Sequence, residues 1–476
     1  MTWLAPAPAT PEPPSKKACT RAANPGSAET SAGLLLASGC GTAVAAVCAS
    51  GLVVLTQQAA GLWAALSVLC GGSLAWAVAR CLSRLAEHIP SRAGLLAYLG
   101  RPLGQKAALL LALPYFLLSL FLVGAEATLL GRLLSFLIGP RLPVPSVVLA
   151  LGFVAFTWLL CRCGAQISLR SQAVCTWALL AGLSLCAVIS LGKVAAAGSL
   201  GARLLQPPPS LTGFLGAVAQ SLFLFMGFEL VTSQTAPLPA PVLRRALVGS
   251  VGLLTAFYAL LAIAVSACQG SPLGSLAELP QRTLAQQAAG LPAVAAITLL
   301  SALASYTSVN GALLALSRLC AALASLGSLP RSWAQVDGRR LLPRRALWVL
   351  LLCGTAATWL VHSLDLLFAA IFAAAPTAAV LYAALAVARE ALAQRHDLGA
   401  AQKRPLWRRV AGYSLAALFV GLALAVLLSL LDPPTGSGSS LGPPPARHVL
   451  FIWASAYAVS LLLIFSRHLR RKRIDR

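Results

Sequence analysis

The chain has 476 residues, of which 58% are hydrophobic and 10% charged, with a mean hydropathy of +0.82. Soluble domains are about half apolar and about a quarter charged, so this composition excludes an ordinary soluble protein. Long apolar segments recur between Ser31 and Phe465 and lack the short alternating pattern of membrane β-strands. The composition therefore predicts an all-α polytopic membrane protein.

Hydropathy predicts about twelve membrane-spanning helices, at residues 33–56, 61–79, 107–134, 145–161, 172–192, 213–236, 246–267, 292–318, 346–361, 364–388, 410–431 and 448–466. We expect a disordered cytoplasmic N-terminal tail, two halves of five helices each, two further helices and a basic cytoplasmic tail. The corresponding ranges are 1–30, 31–192, 213–388, 410–466 and 467–476.

The net charge of +24 is unevenly distributed along the chain. If the N-terminus is inside, 30 of the 36 Lys and Arg residues fall in inner segments and 6 in outer ones. This asymmetry follows the positive-inside rule, so we expect both termini in the cytoplasm. The charge thus indicates orientation in the lipid bilayer, and we expect no nucleic-acid partner.

The sequence carries no pattern typical of a cofactor, a metal site or an enzyme. Its twelve cysteines form no CxxC pair and no Cys/His ligand spacing. A phosphate-binding G-x-x-x-x-G-K-S/T loop and a nucleophile–base set are also missing. We expect no cofactor, no metal and no enzymatic activity; a permeation subunit driven by a separate ATPase stays an alternative.

The first span contains "CASGL" (48–52), where small and polar residues interrupt the apolar pattern. A helix break at Ala49, Ser50 and Gly51 would leave unpaired amide donors beside the positive end of the following half-helix. Such an arrangement suits an anionic group. The alternative is a close contact between helices through small residues.

The third span contains an acid, Glu126, in "FLVGAEATLLG" (121–131). A charged group at the bilayer centre costs at least ~2.5 kcal/mol on insertion scales, so this side chain should face the protein interior. Glu126 would pair with a polar neighbour or contact a cationic substrate. A hydrogen bond to another helix is the alternative.

The sixth span, "SLFLFMGFELVTSQTA" (221–236), is interrupted at Gly227 just before a second acid, Glu229. It starts five spans after the first interrupted span, as in an inverted repeat, and paired interruptions indicate a binding site at the membrane midplane. Glu229 would titrate and couple transport to protons or gate the site. Alternatively, it structures the break by accepting hydrogen bonds from freed amides.

The eighth span groups Ser305, Thr307, Ser308 and Asn310 within six residues. Oxygen ligands of this kind suit a hard cation. Serine and threonine also pack membrane helices routinely, which is the alternative interpretation.

Three segments resemble the amino acid–polyamine–organocation transporters. They are the first span with the segment up to 100, "FLFMGFELVTS" (223–233), and "SYTSVNGALLALSRLCAALASLGSLPRSWAQVD" (305–337). The family motifs are G-S/A-G-I-F, aromatic-x-G-F-E/D and S-x-N…SR…G-x-L-P, and the resemblance covers roughly residues 33–430. The chain departs from the family at Ala49, where a glycine is usual. Residues 171–192 also lack the lysine that many proton-linked relatives carry in helix 5.

This resemblance implies a leucine-transporter-type 5+5 inverted repeat plus two C-terminal helices, and secondary transport of amino acids by alternating access. In such a site the amides of the first break hold the substrate α-carboxylate, and carbonyls of the sixth span accept from its ammonium. An aromatic side chain at Phe223 would form a lid, or would simply pack. The implied substrate-binding residues are Ala49, Ser50, Gly51, Phe223, Phe225, Met226, Gly227 and Phe228.

The resemblance also implies a candidate cation site at Thr307 and Ser308, because sodium-coupled members of the fold bind a cation with hydroxyls there and carbonyls of helix 1. We expect a neutral substrate, since no charged pocket stands out, and H+ or Na+ coupling or exchange in the plasma membrane. The alternatives are a sodium-coupled or amine transporter of the same fold and a transport-inactive relative.

Overall fold

The computed structural model describes residues 25–89, 91, 93–139, 143–234, 239–268, 280–337, 342–397, 406–431 and 446–474. Sixteen α-helices dominate this part of the chain. They are α1 (Pro25–Ala43), α2 (Cys48–Gln58), α3 (Leu62–His88), α4 (Leu95–Leu103), α5 (Gln105–Ile138), α6 (Ser146–Arg162), α7 (Ala165–Ala196), α8 (Leu200–Leu204), α9 (Leu211–Phe225), α10 (Val231–Gln234), α11 (Ala240–Cys268), α12 (Pro280–Ser325), α13 (Arg344–Ser363), α14 (Leu367–Asp397), α15 (Leu406–Leu431) and α16 (Ala446–Ile474). Two short 3-10 helices, Phe228–Leu230 and Arg331–Ala334, complete these elements.

Each predicted span coincides with a helical segment of the described residues. Within the described ranges, nine segments are individually long and apolar enough to cross a membrane, and the bent pair α1–α2 forms a tenth. Two shorter apolar stretches, Ser146–Arg162 and Arg447–Leu462, account for the fourth and twelfth predicted spans. The predicted all-α polytopic class is therefore confirmed.

Both outer boundaries of the helical region extend beyond the prediction. Helix α1 begins at Pro25, so residues 25–30 of the predicted tail are helical, while residues 1–24 lie outside the described part of the chain. Proline suits the first helical position because its missing N–H has no intrahelical partner there anyway. Helix α16 continues to Ile474, past the predicted boundary at 466, because its Lys and Arg residues are good helix formers.

The first and sixth predicted spans are the ones that break, and their halves have different neighbours. Helix α1 packs against α7, α11 and α12, whereas α2 packs mainly against α9. Helix α9 in turn packs against α3, α14 and α15. Because α1 and α2 rest on different surfaces, they are held at an angle of 64° to each other. This bend places irregular backbone at the middle of the bundle.

Small residues set how closely the surrounding helices approach. At Gly124 on α5, an added Cβ would lie 2.8 Å from the carbonyl carbon and oxygen of Ala357 on α13. Close backbone approach through small residues is the usual way in which membrane helices gain packing energy. Gly124 therefore fixes the distance between α5, which carries Glu126, and its neighbour α13.

We expect Gly124→Ala to destabilise the protein, because the added methyl group meets backbone that cannot rotate away. Overpacking of this kind costs about 1–3 kcal/mol. The matched control is Gly152→Ala on α6, where an added Cβ would meet no atom within 4 Å. Thermal unfolding in detergent should show a lower Tm for Gly124→Ala and an unchanged or slightly higher Tm for Gly152→Ala. Equal Tm values for the two variants would contradict the close approach of α5 and α13.

Candidate functional site

The first span breaks at residues 44–47, between Ala43 at the end of α1 and Cys48 at the start of α2. The predicted position of this break, Ala49 to Gly51, is wrong. Those residues lie in the first turns of α2, where the Gly51 amide donates to the Val47 carbonyl at 3.1 Å. The broken stretch, Val-Ala-Ala-Val, contains no glycine, so contacts from distant helices rather than local flexibility determine its position.

The freed amides of this break are bound by the carboxylate of Glu126. The Ala46 amide donates to Glu126 Oε2 at 3.1 Å and the Val47 amide to Oε1 at 2.9 Å. The Ser305 hydroxyl of α12 also donates to Oε2, at 2.7 Å. An ionised carboxylate only accepts hydrogen bonds, so three donors on two oxygens fit this form. Glu126 is buried and joins α5, the first break and α12.

The carbonyl at the end of α1 also has a partner from another helix. Tyr258 of α11 donates its hydroxyl hydrogen to the Ala43 carbonyl oxygen at 3.0 Å. Breaking a helix inside hydrocarbon is tolerated only where such partners satisfy the exposed backbone groups. The first break is thus satisfied by groups from α5 and α11.

The predicted interruption of the sixth span at Gly227 is confirmed. Helix α9 ends at Phe225, and Gly227 has a φ of +117°, which favours glycine. The Gly227 amide donates to Glu229 Oε1 at 2.9 Å, and the Tyr382 hydroxyl donates to Glu229 Oε2 at 3.2 Å. Glu229 therefore caps the break in its own span, as the structural alternative predicted. Its role in coupling or gating stays a prediction.

The two broken spans touch each other directly. A Cβ added at Gly227 would lie 2.8 Å from the Thr42 carbonyl oxygen, so the sixth span crosses the last turn of α1 at backbone distance. At a second crossing, between α2 and α9, a Cβ added at Gly51 would lie 2.9 Å from ring carbons of Phe223. At Gly227 the contact is with backbone, so a residue without a side chain is required there, whereas at Gly51 an added methyl group would have to displace the Phe223 ring.

A cavity of about 40 Å³ lies where the broken spans, α5 and α12 meet. Its polar lining residues are Thr42, Tyr115, Ser119, Glu126 and Ser308, and none of the described lining residues is Lys, Arg or His. Its apolar lining residues include Leu122, Val123, Phe223, Met226 and Val309. A space of this size holds roughly one or two water molecules.

The sequence model of the amino acid permease family matches residues 34–459 of the chain. The chain belongs to the amino acid permease family. The predicted resemblance is therefore confirmed, and this permease is a multi-pass membrane protein of the secondary transporter class. The chain has no significant match among curated protein sequences.

The fold of the permease is similar to that of a solved transporter. That structure is Mhp1, a nucleobase-cation-symport-1 family transporter in a closed conformation with bromovinylhydantoin bound. The TM-score is 0.52 over 88% of this chain and 96% of that chain, with 14% sequence identity. The similarity confirms the predicted leucine-transporter-type fold and, at this identity, shows the fold alone.

The predicted substrate-binding residues of the permease's sixth span fall into two groups. Phe223, Met226 and Gly227 line the central cavity. Phe225 and Phe228 instead pack into the surrounding core, with ring centroids 6.0 Å from that of Tyr258 and 6.3 Å from that of Tyr382, respectively. The side chains of Phe225 and Phe228 therefore hold the break in place from outside the cavity.

The predicted residues of α2 lie away from the central cavity. Ala49 lines a separate, largely apolar cavity of about 350 Å³ between α2, α7, α11 and α12. The Ser50 hydroxyl is buried and has no hydrogen-bond partner. Gly51 lies against Phe223.

The two predicted cation ligands do not converge on one point. Ser308 lines the central cavity. The Thr307 hydroxyl donates to the Ala304 carbonyl of its own helix at 3.0 Å, and the Thr307 carbonyl accepts from Gln172 Nε2 at 3.1 Å.

Sequence reasoning missed Tyr115 on α5. This side chain lines the central cavity, is fully buried, and has a hydroxyl group without a hydrogen-bond partner. Tyr115, Ser119, Leu122 and Glu126 recur at spacings of three and four residues and so share one face of α5. The recurrence of Tyr, Ser and Glu along one face of an apolar helix is the signal that locates them.

We expect Gly227→Ala to abolish transport. The substitution imposes the strain of a positive φ, typically about 1–3 kcal/mol, and it also pushes the Thr42 backbone away from the crossing. The control is Gly104→Ala, which shares a positive φ of +90° but has no atom within 4 Å of the added Cβ. Both variants should melt earlier than the wild type in detergent, but only Gly227→Ala should lose uptake in proteoliposomes. Normal uptake by Gly227→Ala would show that the crossing is not needed for function.

Proposed function

We propose that this permease moves neutral amino acids across the cell membrane by alternating access, either in exchange or linked to protons. The observation that supports this most directly is the meeting of two broken spans at one mostly apolar cavity. Paired helix breaks at the midplane are the usual substrate site of such transporters. The cavity lining, as described, offers no basic side chain to pair with an acidic substrate.

The two charged groups of an amino acid have different partners available. The ammonium group suits the carboxylate of Glu126, which faces the cavity. The substrate carboxylate cannot use the Ala46 and Val47 amides while Glu126 occupies them. The hydroxyl of Tyr115, which lines the cavity, is buried and has no partner, is a donor available to it.

The size of the cavity supports the proposal of alternating access. A volume of about 40 Å³ accommodates one or two water-sized groups, so an amino acid requires its lining helices to separate. The elements that bound the cavity are α1, α2, the sixth span, α5 and α12. We propose that α1, α2 and the sixth span move together relative to the rest, since Gly227 and Thr42 are in contact at their crossing.

A second candidate substrate class is amines that lack a carboxylate. It is favoured by the position of Glu126. The carboxylate of this residue already accepts from the Ala46 and Val47 amides, which would otherwise be free to bind a substrate carboxylate. In that case Glu126 supplies the anion that the substrate lacks, and the ammonium group binds beside it. The two candidates predict losses of different size when the Glu126 charge is removed.

The proposed orientation places both termini in the cytoplasm of a cell whose plasma membrane contains the permease. Twelve spans return the chain to its starting side, and 30 of the 36 Lys and Arg residues then lie on the inner side. Thiol labelling at each terminus in intact and permeabilised cells tests this orientation. Labelling of either terminus in intact cells would contradict it.

Counterflow in proteoliposomes tests the substrate proposal with chemically matched pairs: leucine against 3-methylbutylamine, and phenylalanine against phenethylamine. If neutral amino acids are the substrates, the permease must exchange leucine and phenylalanine. Glu126→Gln should weaken transport of an amine about tenfold or more, as expected when a charge-assisted hydrogen bond worth ~1.5–3 kcal/mol is lost. The same variant should weaken amino acid transport less, because it leaves the carboxylate partners in place.

Each outcome of this experiment is decisive. Exchange of amines alone, lost in Glu126→Gln, supports the second candidate and rejects the first. Ser305→Ala is the matched control, since it removes one hydrogen bond to Glu126 without removing the charge. Absence of both flux and ligand-induced thermal stabilisation for all four compounds would reject transport of either class and favour a transport-inactive relative.

Proton linkage, if present, is proposed to act through Glu229. Glu229→Gln keeps an oxygen for the Gly227 amide but can no longer take up or release a proton. We expect uptake by this variant to lose its response to an imposed proton gradient while exchange continues. Tyr382→Phe is the control, because it removes the hydrogen bond to Glu229 and leaves the carboxyl group. Unchanged proton dependence in Glu229→Gln would remove the coupling role.

A further inference from the structure

The cavity of about 350 Å³ that Ala49 lines is bounded by α2, α7, α11 and α12. We call it the lateral cavity. Its lining is largely apolar, and its volume lies within the range of about 300–1,000 Å³ that is typical of small-molecule sites. The hydroxyl hydrogens of Ser190 and Tyr258 in its wall are already donated to main-chain carbonyls, at 2.8 and 3.0 Å. Such a space suits a hydrocarbon-like molecule better than water.

The long walls of the lateral cavity extend over about three helical turns. On α7 the lining runs from Leu183 to Lys193, and on α11 it runs from Tyr258 to Cys268. A rise of 1.5 Å per residue makes each of these walls about 15 Å long. This length is half of a hydrocarbon core of about 30 Å, which is the thickness of one leaflet. A single hydrocarbon chain from one leaflet therefore has the right length to fill the cavity.

The two ends of the lateral cavity differ in charge. Lys193 lies in the last turn of α7 and is the only charged side chain among the described lining residues. The opposite end lies at the first break, where Tyr258 donates to the Ala43 carbonyl and Val44 and Ala46 form part of the lining. An ammonium group at a helix end, with apolar walls leading towards the midplane, is complementary to an amphipathic anion.

The lateral cavity borders a lipid-facing surface of α7. Ile189 lines the cavity and is 50% exposed, and its neighbour Val188 is 57% exposed. Exposed apolar side chains on a membrane-spanning helix contact lipid tails, which are as apolar as leucine. A molecule dissolved in the bilayer can thus enter the cavity from the side, without passing through water.

The backbone of the first break lies between the lateral cavity and the central cavity. Ala45 and Cys48 line both of them. In the proposed transport cycle α1 and α2 move relative to the rest of the bundle, which includes α7 and α11. A chain packed between α2 and these two helices therefore resists the movement.

We propose that the lateral cavity binds a fatty-acid-like amphiphile, a carboxylate with a single hydrocarbon chain, and that the bound molecule slows transport. The carboxylate lies beside Lys193, and the chain extends along α7 to the first break. The inhibition rests on the proposed transport function, whereas the binding does not. Because the site is separate from the central cavity, the amphiphile lowers the maximal rate of transport and does not compete with the substrate.

Photolabelling measures the binding without a transport assay. The probe is a fatty acid of twelve carbons with a diazirine at the end of its chain, added to the permease in nanodiscs of phosphatidylcholine. Adducts mapped by mass spectrometry should lie at the deep end of the cavity, on Leu183, Tyr258 or Ala304, and excess dodecanoate should remove them. Adducts on the lipid-facing residues Val420 and Leu424 of α15 should resist this competition. Absence of any competed adduct in the cavity would overturn the proposal.

The charge at Lys193 is tested with competitors that share one chain length. Lys193→Gln should raise the dodecanoate concentration needed for competition about tenfold or more, as expected when a charge-assisted hydrogen bond is lost. Dodecanol, compared at equal concentration in the membrane, should compete weakly and equally in both proteins. The control is Lys106→Gln, which removes a charge from an exposed residue at the start of α5. Equal competition by dodecanoate and dodecanol in the wild type would overturn the carboxylate assignment.

Counterflow in proteoliposomes measures the effect on transport, with whichever compound the permease exchanges as the probe. No proton gradient is imposed, so the fatty acid cannot act by dissipating one. Dodecanoate should lower the maximal rate severalfold at an unchanged KM. Inhibition that additional substrate relieves would show competition at the central cavity and would overturn the separate site.

Filling the lateral cavity is the last test. Ala296→Phe places a ring in the cavity and should reduce both the competed adducts and the inhibition by dodecanoate severalfold. The matched control is Ala295→Phe on the same helix, at an exposed residue outside the described lining. Equal inhibition of the two variants would contradict the site. If Ala296→Phe does not fold, the competition series on the wild type and Lys193→Gln decides the question.

Failure of the inference and failure of the proposed function give different results. Absence of any flux rejects the proposed function, while the photolabelling still decides whether the lateral cavity binds the amphiphile. Normal flux that dodecanoate does not change rejects the inhibition and leaves the transport function intact.

Discussion

The backbone groups released where the first and sixth spans unwind are the constraint on which the rest of the structure depends. Inside a bilayer they have no solvent to bind, so each break requires partners from the protein. Glu126 of α5 accepts from the Ala46 and Val47 amides, Tyr258 of α11 donates to the Ala43 carbonyl, and Glu229 accepts from the Gly227 amide. Because three of these four backbone groups lie in the first span, its bend requires α5 and α11 to be in place.

The groups that bind the backbone at the two breaks also determine the charge at the centre of the permease. Both spans use a carboxylate as the acceptor, so two acids lie within the bundle, and Glu126 faces the cavity. No Lys, Arg or His among the described lining residues balances that charge. The carboxylate of Glu126 thus both stabilises the bend and faces the cavity, which is why an ammonium group is proposed as the ligand there.

Thr42 links this site to the polar cluster between α1, α7 and α12. It lines the cavity, and its hydroxyl receives hydrogen bonds from Gln172 and Gln234. Buried polar clusters stabilise one arrangement only when every member is satisfied. The donors here are the neutral carboxamides of Gln172 and Gln234, which join α1 to α7, α10 and α12.

The sequence by itself determined the membrane class, the number and order of the spans, and the break at Gly227. Each of these follows from local properties. The length of the apolar segments predicts the spans, and Gly227 is followed two residues later by Glu229, an acid that can accept a hydrogen bond from the glycine amide. Only the tertiary structure decided that the first break lies at residues 44–47 and not at Ala49 to Gly51, that Tyr115 faces the cavity, and that Gln172 joins α1 to α12. These features depend on partners more than 70 residues away in sequence, such as Glu126 for Val47. Hydropathy and glycine spacing carry no information about such partners, because the contacts exist only once the helices have packed.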